Sequence, residues 1–212
     1  FGCRGPVLTV STACSSGSVA LKIAAELLRT GHARHVLAGG ADALCRLTYY
    51  GFHALQLVDP AGARPFDRTR RGMTVGEGAA MLLLSAAATP PPDALAEYLG
   101  GALSCDAYHP AAPLRDGEGA LRAMQGALSD AGLTAGEIDY IQLHGTGTAD
   151  NDRAEGSAIR DLFGEHPLPY LSSLKGAHGH ALAAAGAMGA VTSILALRHG
   201  FIPPNVGFAE AD

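Results

Sequence analysis

The sequence contains no tryptophan, and its 212 residues include only six tyrosines and six phenylalanines. Charged residues are also scarce at 17%, whereas hydrophobic residues make up 48% of the chain. A chain of this length and apolar content can bury a sizeable core, and the low charge excludes extended disorder. The 28 glycines favour tight turns and close approach of the backbone to other segments or to a ligand.

No long basic run occurs and the formal net charge is −5, so nothing favours nucleic-acid binding. The four cysteines, Cys3, Cys14, Cys45 and Cys105, form neither a C-x-x-C pair nor a zinc-type Cys/His spacing. We therefore expect reduced thiols in a cytoplasmic protein, without a metal. The N-terminus lacks the apolar core of a signal peptide. The longest apolar run, 181–197, is shorter than the roughly 20 residues of a membrane span, so no membrane association is expected.

Strand-like and helix-like segments alternate along the chain. Short β-rich runs predict strands at 7–10, 35–38 (closed by Gly39-Gly40), 79–84, 96–104, 139–143 and 169–172. Apolar spacing of three to four residues predicts helices at 16–30, 117–131, 152–163 and 180–199. Such alternation predicts an α/β protein with buried sheets. The stretch 59–78 is predicted to be a loop, and the Pro-Pro-Pro run at 90–92 marks the expected boundary between two structural halves.

Cys14 lies where the predicted strand 7–10 meets the predicted helix 16–30. Unpaired N–H groups and the dipole at a helix N-terminus stabilise a thiolate, so we expect a lowered pKa for Cys14. The same N–H groups could receive an oxyanion. On this segment alone, a catalytic nucleophile and an inert buried cysteine are equally good interpretations.

Two histidines also lie at the ends of predicted strands. His144 opens the segment H-G-T-G-T (144–148), whose glycines permit a sharp turn and the close approach of a substrate. This turn could equally be structural or hold a phosphate. His180 opens the small-residue helix 180–199, and a helix N-terminus disfavours the imidazolium form. We therefore expect His180 to be neutral near pH 7.

Three motifs together resemble the β-ketoacyl synthases of fatty-acid and polyketide biosynthesis. They are T-A-C-S-S (12–16), H-G-T-G-T (144–148) and K-x-x-x-G-H-x-x-x-A-A-G (175–186), in the family's order. Supporting matches lie at 38–42, 64–67, 76–79, 104–109, 152–155 and 202–205. The resemblance covers essentially the whole chain, and so many motifs in one order make a chance match negligible.

The resemblance implies a thiolase-like layered α-β-α-β-α fold, present here incompletely. Residues 1–88 would be the C-terminal part of the first half and carry the nucleophile, while 89–212 would be most of the second half and carry the histidines. Family members are longer, so we expect a fragment of a longer protein that is inactive alone. The strand predicted at 7–10 resembles one that pairs across the family's dimer axis, which implies a homodimer or a synthase-like heterodimer.

The resemblance also implies an acyltransferase of the 3-oxoacyl-[acyl-carrier-protein] synthase type. Cys14 would accept an acyl group from acyl carrier protein, and a malonyl group on carrier protein would lose CO₂ and attack the acyl-cysteine. His144 and His180 would donate hydrogen bonds that stabilise the enolate. Lys175 would discourage protonation of a nearby histidine, with Glu155 as its partner. No cofactor is implied.

Three secondary residue assignments follow. Asp152 is a weaker candidate for the site than Glu155. His178 lies two residues from His180 but occupies a position that is not catalytic in the family. The charged residues of the loop 59–78 favour a solvated surface over a role near the carrier-protein entrance; they are Asp67, Arg68, Arg70 and Arg71.

Other functions remain to be weighed. A non-catalytic chain-length factor, which shapes the product without doing chemistry, would lack the nucleophile, so Cys14, His144 and His180 argue against it. Thiolases and chalcone-type synthases have other surroundings of the nucleophile, and the pair of histidine motifs argues against both. Fatty-acid elongation and a polyketide or polyene pathway stay open as alternatives.

Overall fold

The computed structural model describes residues 2–109 and 111–211. The helices are α1 (Ser16–Arg29), α2 (Arg46–Ala54), α3 (Glu118–Ala131), α4 (Ala149–Phe163), α5 (Lys175–His178) and α6 (Ala185–His199). The strands are β1 (His35–Asp42), β2 (Gly78–Ser85), β3 (Tyr140–Gln142) and β4 (Tyr170–Ser172). Single 3₁₀ turns occur at Ala135–Glu137 and Leu182–Ala184. This mixture of helices and strands confirms the predicted α/β class.

The strands form two small sheets. β1 and β2 pair antiparallel, from His35 opposite Ser85 to Asp42 opposite Gly78, whereas β3 and β4 pair parallel. Gly39 and Gly40 lie inside β1, so the prediction that they end this strand is wrong. A Cβ on Gly40 would lie 2.3 Å from the carbonyl oxygen of Ala183. The glycines therefore let other backbone segments approach the strand closely.

Helices α1 and α6 pack against each other and against the β1–β2 sheet. Their contact is made at glycines: a Cβ on Gly17 would lie 2.7 Å from the backbone nitrogen of Ala187, and one on Gly186 would lie 2.1 Å from Ser18 Oγ. Since no side chain separates the helices at these points, their N-terminal ends come close together. This packing brings the segment before α1 to the segment before α6.

Two predicted strands are wrong. Residues 7–10 form neither helix nor strand, and Val7 and Leu8 are 91% and 62% exposed. Residues 96–104 also lack strand pairing, and side chains bind their backbone: Arg29 donates to Leu99 O at 2.7 Å and Asp130 accepts from Gly101 N at 2.9 Å. A β-rich segment becomes a strand only where a neighbouring strand takes its backbone hydrogen bonds, and none does so within the described chain.

The helix predictions succeed except around α2 and α6. α2 was not predicted, and it buries none of its residues, so it lacks the apolar spacing that reveals a helix. The helix predicted over 180–199 begins at Ala185, after the 3₁₀ turn Leu182–Ala184. By length and composition alone, Leu182–His199 could cross a membrane, with a mean hydropathy of 1.3. Core helices pass the same test, and α6 packs on α1 and β2.

Candidate active site

Cys14 lies in a tight turn that leads into α1. Ala13 has a positive φ of 52°, a conformation that costs a non-glycine residue about 1–2 kcal/mol. Ser16, the first residue of α1, closes the turn because its hydroxyl donates to Ala13 O at 2.6 Å and accepts from Thr12 N at 2.9 Å. The turn holds Cys14 at the start of the helix, as predicted, and leaves it partly exposed.

The predicted lowering of the Cys14 pKa is wrong. Burial raises the pKa of this thiol, the charge of Lys175 and a backbone hydrogen bond lower it less, and the carboxylate of Asp42 raises it further. The desolvation of a thiolate therefore outweighs the helix N-terminus. At neutral pH Cys14 is largely the thiol, and its reaction as a nucleophile requires the loss of a proton.

The turn after β3 carries His144 and is held by two carboxylates from the first turns of α4. Glu155 accepts from the backbone N–H groups of His144 and Gly145, at 2.7 and 2.8 Å. Asp152 accepts from the N–H groups of Thr146 and Gly147, at 3.1 and 3.2 Å. The H-G-T-G-T segment is therefore a turn whose successive donors point at α4.

Both glycines of this turn are required by its shape. Gly145 and Gly147 have positive φ angles of 41° and 79°, a region that glycine enters without steric cost. A Cβ on Gly145 would lie 2.6 Å from the Cβ of Ser173, whose hydroxyl donates to Gly145 O at 2.7 Å. The motif thus serves the packing of the turn and its placement beside the segment that follows β4.

Lys175 lies on the opposite side of the His144 backbone from Glu155. It is 6% exposed, and its Nζ donates to the carbonyl oxygen of His144. Glu155 binds the N–H of the same residue, so the predicted partners meet at the peptide groups of His144. Burial lowers the pKa of Lys175, while Glu155 and Cys14 act in the opposite direction.

His180 is 1% exposed, and the tautomer of its ring follows from its contacts. Its Nδ1 accepts from the backbone N–H of Leu182 at 3.2 Å, so in the neutral ring the proton is on Nε2. Within the described residues, this Nε2 is buried without a hydrogen-bond partner. Because a buried donor without an acceptor is costly, the Nε2–H group is suited to an acceptor that a ligand brings.

The two histidines lie against each other. The His144 and His180 rings meet edge to face, with centroids 5.1 Å apart and an interplanar angle of 83°. Burial lowers the pKa of His180 to about 3, and Lys175 and His178 lower it further in the same direction. Burial, Lys175 and His180 hold the pKa of His144 well below its ordinary value. His180 is therefore neutral near pH 7, as expected, although burial is the main cause rather than a helix end.

An open cavity of about 730 Å³ joins these residues. Cys14, His144, Lys175 and His178 lie in its wall, and the N-terminal part of α6 lines another side. His180 stands behind the wall, against the His144 ring. The structure thus brings all five predicted site residues into one region, with the thiol exposed to the cavity and the two neutral imidazoles in contact.

Several residues that position this site were missed by sequence reasoning. The backbone N–H of His180 donates to Thr74 O at 2.7 Å, and Gly76 N donates to His180 O at 2.9 Å. Asn205 accepts from Ser173 N at 3.1 Å and donates to Pro65 O at 2.9 Å. The motifs around 64–67 and 202–205 contain two of these residues, but only their three-dimensional contacts reveal what they do.

The charged loop 59–78 is less solvated than predicted. Asp67 is 2% exposed, and the Arg70 side chain is 6% exposed and lies 3.7 Å from the Asp152 carboxylate. The Thr69 hydroxyl and the N–H groups of Ala209 and Glu210 lower the pKa of Asp67. Asp67 and Arg70 are therefore structural residues of the loop, and the prediction of a solvated surface is wrong for both.

Comparison with known proteins identifies the family. The sequence model described as the N-terminal domain of β-ketoacyl synthase matches residues 1–89, and the C-terminal domain model matches 95–209. Nodulation protein E of Rhizobium meliloti is 39% identical over 100% of the chain and 54% of its own length. The 3-oxoacyl-[acyl-carrier-protein] synthase 2 of the same species (strain 1021) is 41% identical over 96% of the chain and 51% of its own length.

Solved structures agree with this assignment. The ishigamide ketosynthase/chain length factor is 42% identical, with a TM-score of 0.91 over 97% of the chain and 51% of that structure's chain. A type II polyketide ketosynthase in complex with its acyl carrier protein, AntDE:AntF, is 33% identical, with a TM-score of 0.93 over 100% of the chain and 55% of its own.

The chain spans about half the length of the curated relatives that it matches. Because both domain models of one family together match nearly all of it, and because its structural neighbours share its architecture, the chain belongs to the β-ketoacyl synthases and has their thiolase-like α/β fold.

Proposed function

We propose that the full-length protein containing this chain is a β-ketoacyl synthase that condenses an acyl thioester with malonyl-acyl carrier protein. The single observation that carries the proposal is the buried, unpartnered Nε2–H of His180 beside a second neutral imidazole and near a partly exposed thiol. An oxygen that gains negative charge during reaction is the acceptor such a donor fits.

In the first half-reaction, the sulfur of Cys14 attacks the carbonyl carbon of an acyl thioester on carrier protein. The thioester C–S bond breaks, the carrier thiol leaves with a proton, and the acyl group stays on Cys14. Lys175 assists because its charge lowers the pKa of Cys14 against the effect of burial.

In the second half-reaction, malonyl thioester loses its carboxylate as CO₂ and the electron pair of the broken C–C bond forms an enolate. His144 and His180 donate N–H bonds to the enolate oxygen. Because both are neutral, they are poor acids and leave the enolate carbon unprotonated. That carbon attacks the acyl-Cys14 carbonyl and expels the Cys14 thiolate, which yields a 3-oxoacyl thioester.

A chain-length-factor subunit is the second candidate, since one structural neighbour is named as a ketosynthase/chain length factor. The presence of Cys14 and both histidines favours the catalytic subunit. We further propose acyl carrier protein as the partner that delivers both substrates, a homodimer or synthase-like heterodimer as the assembly, and the cytoplasm as the location. Fatty-acid and polyketide pathways both remain compatible with these residues.

The test is the intact mass of the full-length protein after exposure to acyl carrier protein loaded with an acyl group. We expect a mass increase of one acyl group on the wild type and none on Cys14→Ala. An adduct that survives Cys14→Ala would overturn the assignment of the nucleophile.

A further inference from the structure

Asp42, the last residue of β1, joins the half of the chain that carries Cys14 to the segment that carries His180. Its Oδ2 accepts from the backbone N–H of Ala183 at 3.2 Å. Ala183 is the middle residue of the 3₁₀ turn Leu182–Ala184. Gly40, two residues earlier in β1, permits this contact, because a Cβ there would lie 2.3 Å from Ala183 O.

The turn that Asp42 holds has an unfavourable backbone conformation. Leu182 has a positive φ of 45°, which a branched side chain rarely adopts, so neighbouring contacts must maintain it. In this conformation the N–H of Leu182 points back at Nδ1 of His180, 3.2 Å away. The orientation of that single N–H decides which ring nitrogen of neutral His180 carries the proton.

The backbone of His180 is held by other residues. Its N–H donates to Thr74 O at 2.7 Å, and its carbonyl oxygen accepts from Gly76 N at 2.9 Å. Loss of Asp42 would therefore release the turn at 182–184 while the His180 backbone stays in place. The consequence would fall on the tautomer of the ring rather than on the position of the residue.

We propose that Asp42 is a positioning residue for the decarboxylation step: by holding the 182–184 turn, it keeps the Leu182 N–H on Nδ1 of His180 and the proton of His180 on Nε2. The proposal rests on the proposed condensing function. It assigns Asp42 to the second half-reaction, since acyl transfer to Cys14 does not use the Leu182–His180 hydrogen bond.

The test compares Asp42→Leu with Asp42→Asn in the full-length protein, together with its partner subunit if one is required. Leucine removes the acceptor at similar size, whereas the asparagine carbonyl still accepts from Ala183 N–H. Asp42→Ala gives a second variant without an acceptor if the leucine variant fails to fold. Asp130→Leu is the matched control, because Asp130 also accepts a backbone N–H, that of Gly101 at 2.9 Å, but stands outside the site.

Three quantities are measured: the ¹⁵N shifts of the His180 ring, the rate of Cys14 acylation, and kcat and KM for CO₂ release from malonyl carrier protein. In Asp42→Leu and Asp42→Ala we expect a mixed His180 tautomer and a kcat for CO₂ release about tenfold lower, with KM and acylation within about threefold of wild type. Asp42→Asn should retain the wild-type tautomer and rate. Asp130→Leu should not alter the ratio of the two half-reactions.

Unchanged ¹⁵N shifts in both Asp42→Leu and Asp42→Ala would overturn the proposal, as would equal losses in acylation and CO₂ release. A wild-type protein that is never acylated would refute the proposed function instead. In that case the His180 shifts would still report on whether Asp42 sets the tautomer, so the two failures are distinguishable.

Discussion

Replacing Asp152 by asparagine should destabilise the fold, because every polar contact of this carboxylate uses it as an acceptor. Asp152 is 2% exposed. Its Oδ1 accepts from Thr146 N, Gly147 N and Asn151 Nδ2, and its Oδ2 accepts from Phe66 N at 2.8 Å. An asparagine keeps one oxygen but places an NH₂ group where the other oxygen was.

The cost is smallest when the new NH₂ group faces Phe66. One backbone N–H then loses its acceptor and the NH₂ group itself has none, and each unsatisfied buried group costs about 1–3 kcal/mol. We therefore expect the free energy of unfolding to fall by about 2–5 kcal/mol. The opposite orientation would strand three donors and cost more, so the smaller figure is a lower bound.

The assay is urea unfolding of the full-length protein, with Asp150→Asn as the matched control. Asp150 lies on the same turn of α4, but its side chain is 61% exposed and its contact with Arg153 is 3.9 Å long. We expect this control to unfold at the wild-type midpoint. If Asp152→Asn also unfolds at the wild-type midpoint, the role given to the carboxylate in holding the His144 turn is refuted.

Three further outcomes are expected. Lys175→Met should raise the pKa of Cys14, because it removes the charge that opposes burial; alkylation by iodoacetamide at pH 7.5 should then be slower, and an equal or faster rate would contradict this. His180→Gln should flatten the acid limb of stability: the folded ring, with its pKa near 3, stays neutral while the unfolded ring gains a proton as the pH falls below about 6.5, so stability is lost on acidification. Between pH 6 and 4 the variant should lose about 1.4 kcal/mol less per pH unit than wild type, and equal slopes in urea titrations would refute the assignment. Gly186→Val should separate α1 from α6, since even a Cβ would lie 2.1 Å from Ser18 Oγ; a wild-type unfolding midpoint would show that the helices adjust.

Helices were predictable where their apolar spacing is local. The predictions for α1, α3 and α4 agree with the structure to within a few residues, because each helix has an apolar face that its own sequence displays. The segments 7–10 and 96–104 were equally β-rich, but no strand pairs with them in the described chain. Strand formation depends on a partner that may be far away in sequence, so composition alone misled.

The electrostatic expectations divide in the same way. A cysteine beside a helix N-terminus favours a lowered pKa, yet burial of Cys14 against the cavity wall raises it. His180 was expected to be neutral, and it is, but through burial and the charge of Lys175 rather than through a helix end. Desolvation depends on everything packed around a group, which no local motif contains.

The sequence by itself determined the family, the identity of the nucleophile and the two histidines, and the glycines that permit sharp turns around them. These follow from residue types in a fixed order along the chain. Only the tertiary structure decided that Glu155 and Lys175 bind opposite sides of the His144 peptide groups, that Asp152 holds the same turn, and that His180 carries its proton on Nε2. Hydrogen bonds of this kind join segments that are distant in sequence, and their geometry exists only once the helices have packed.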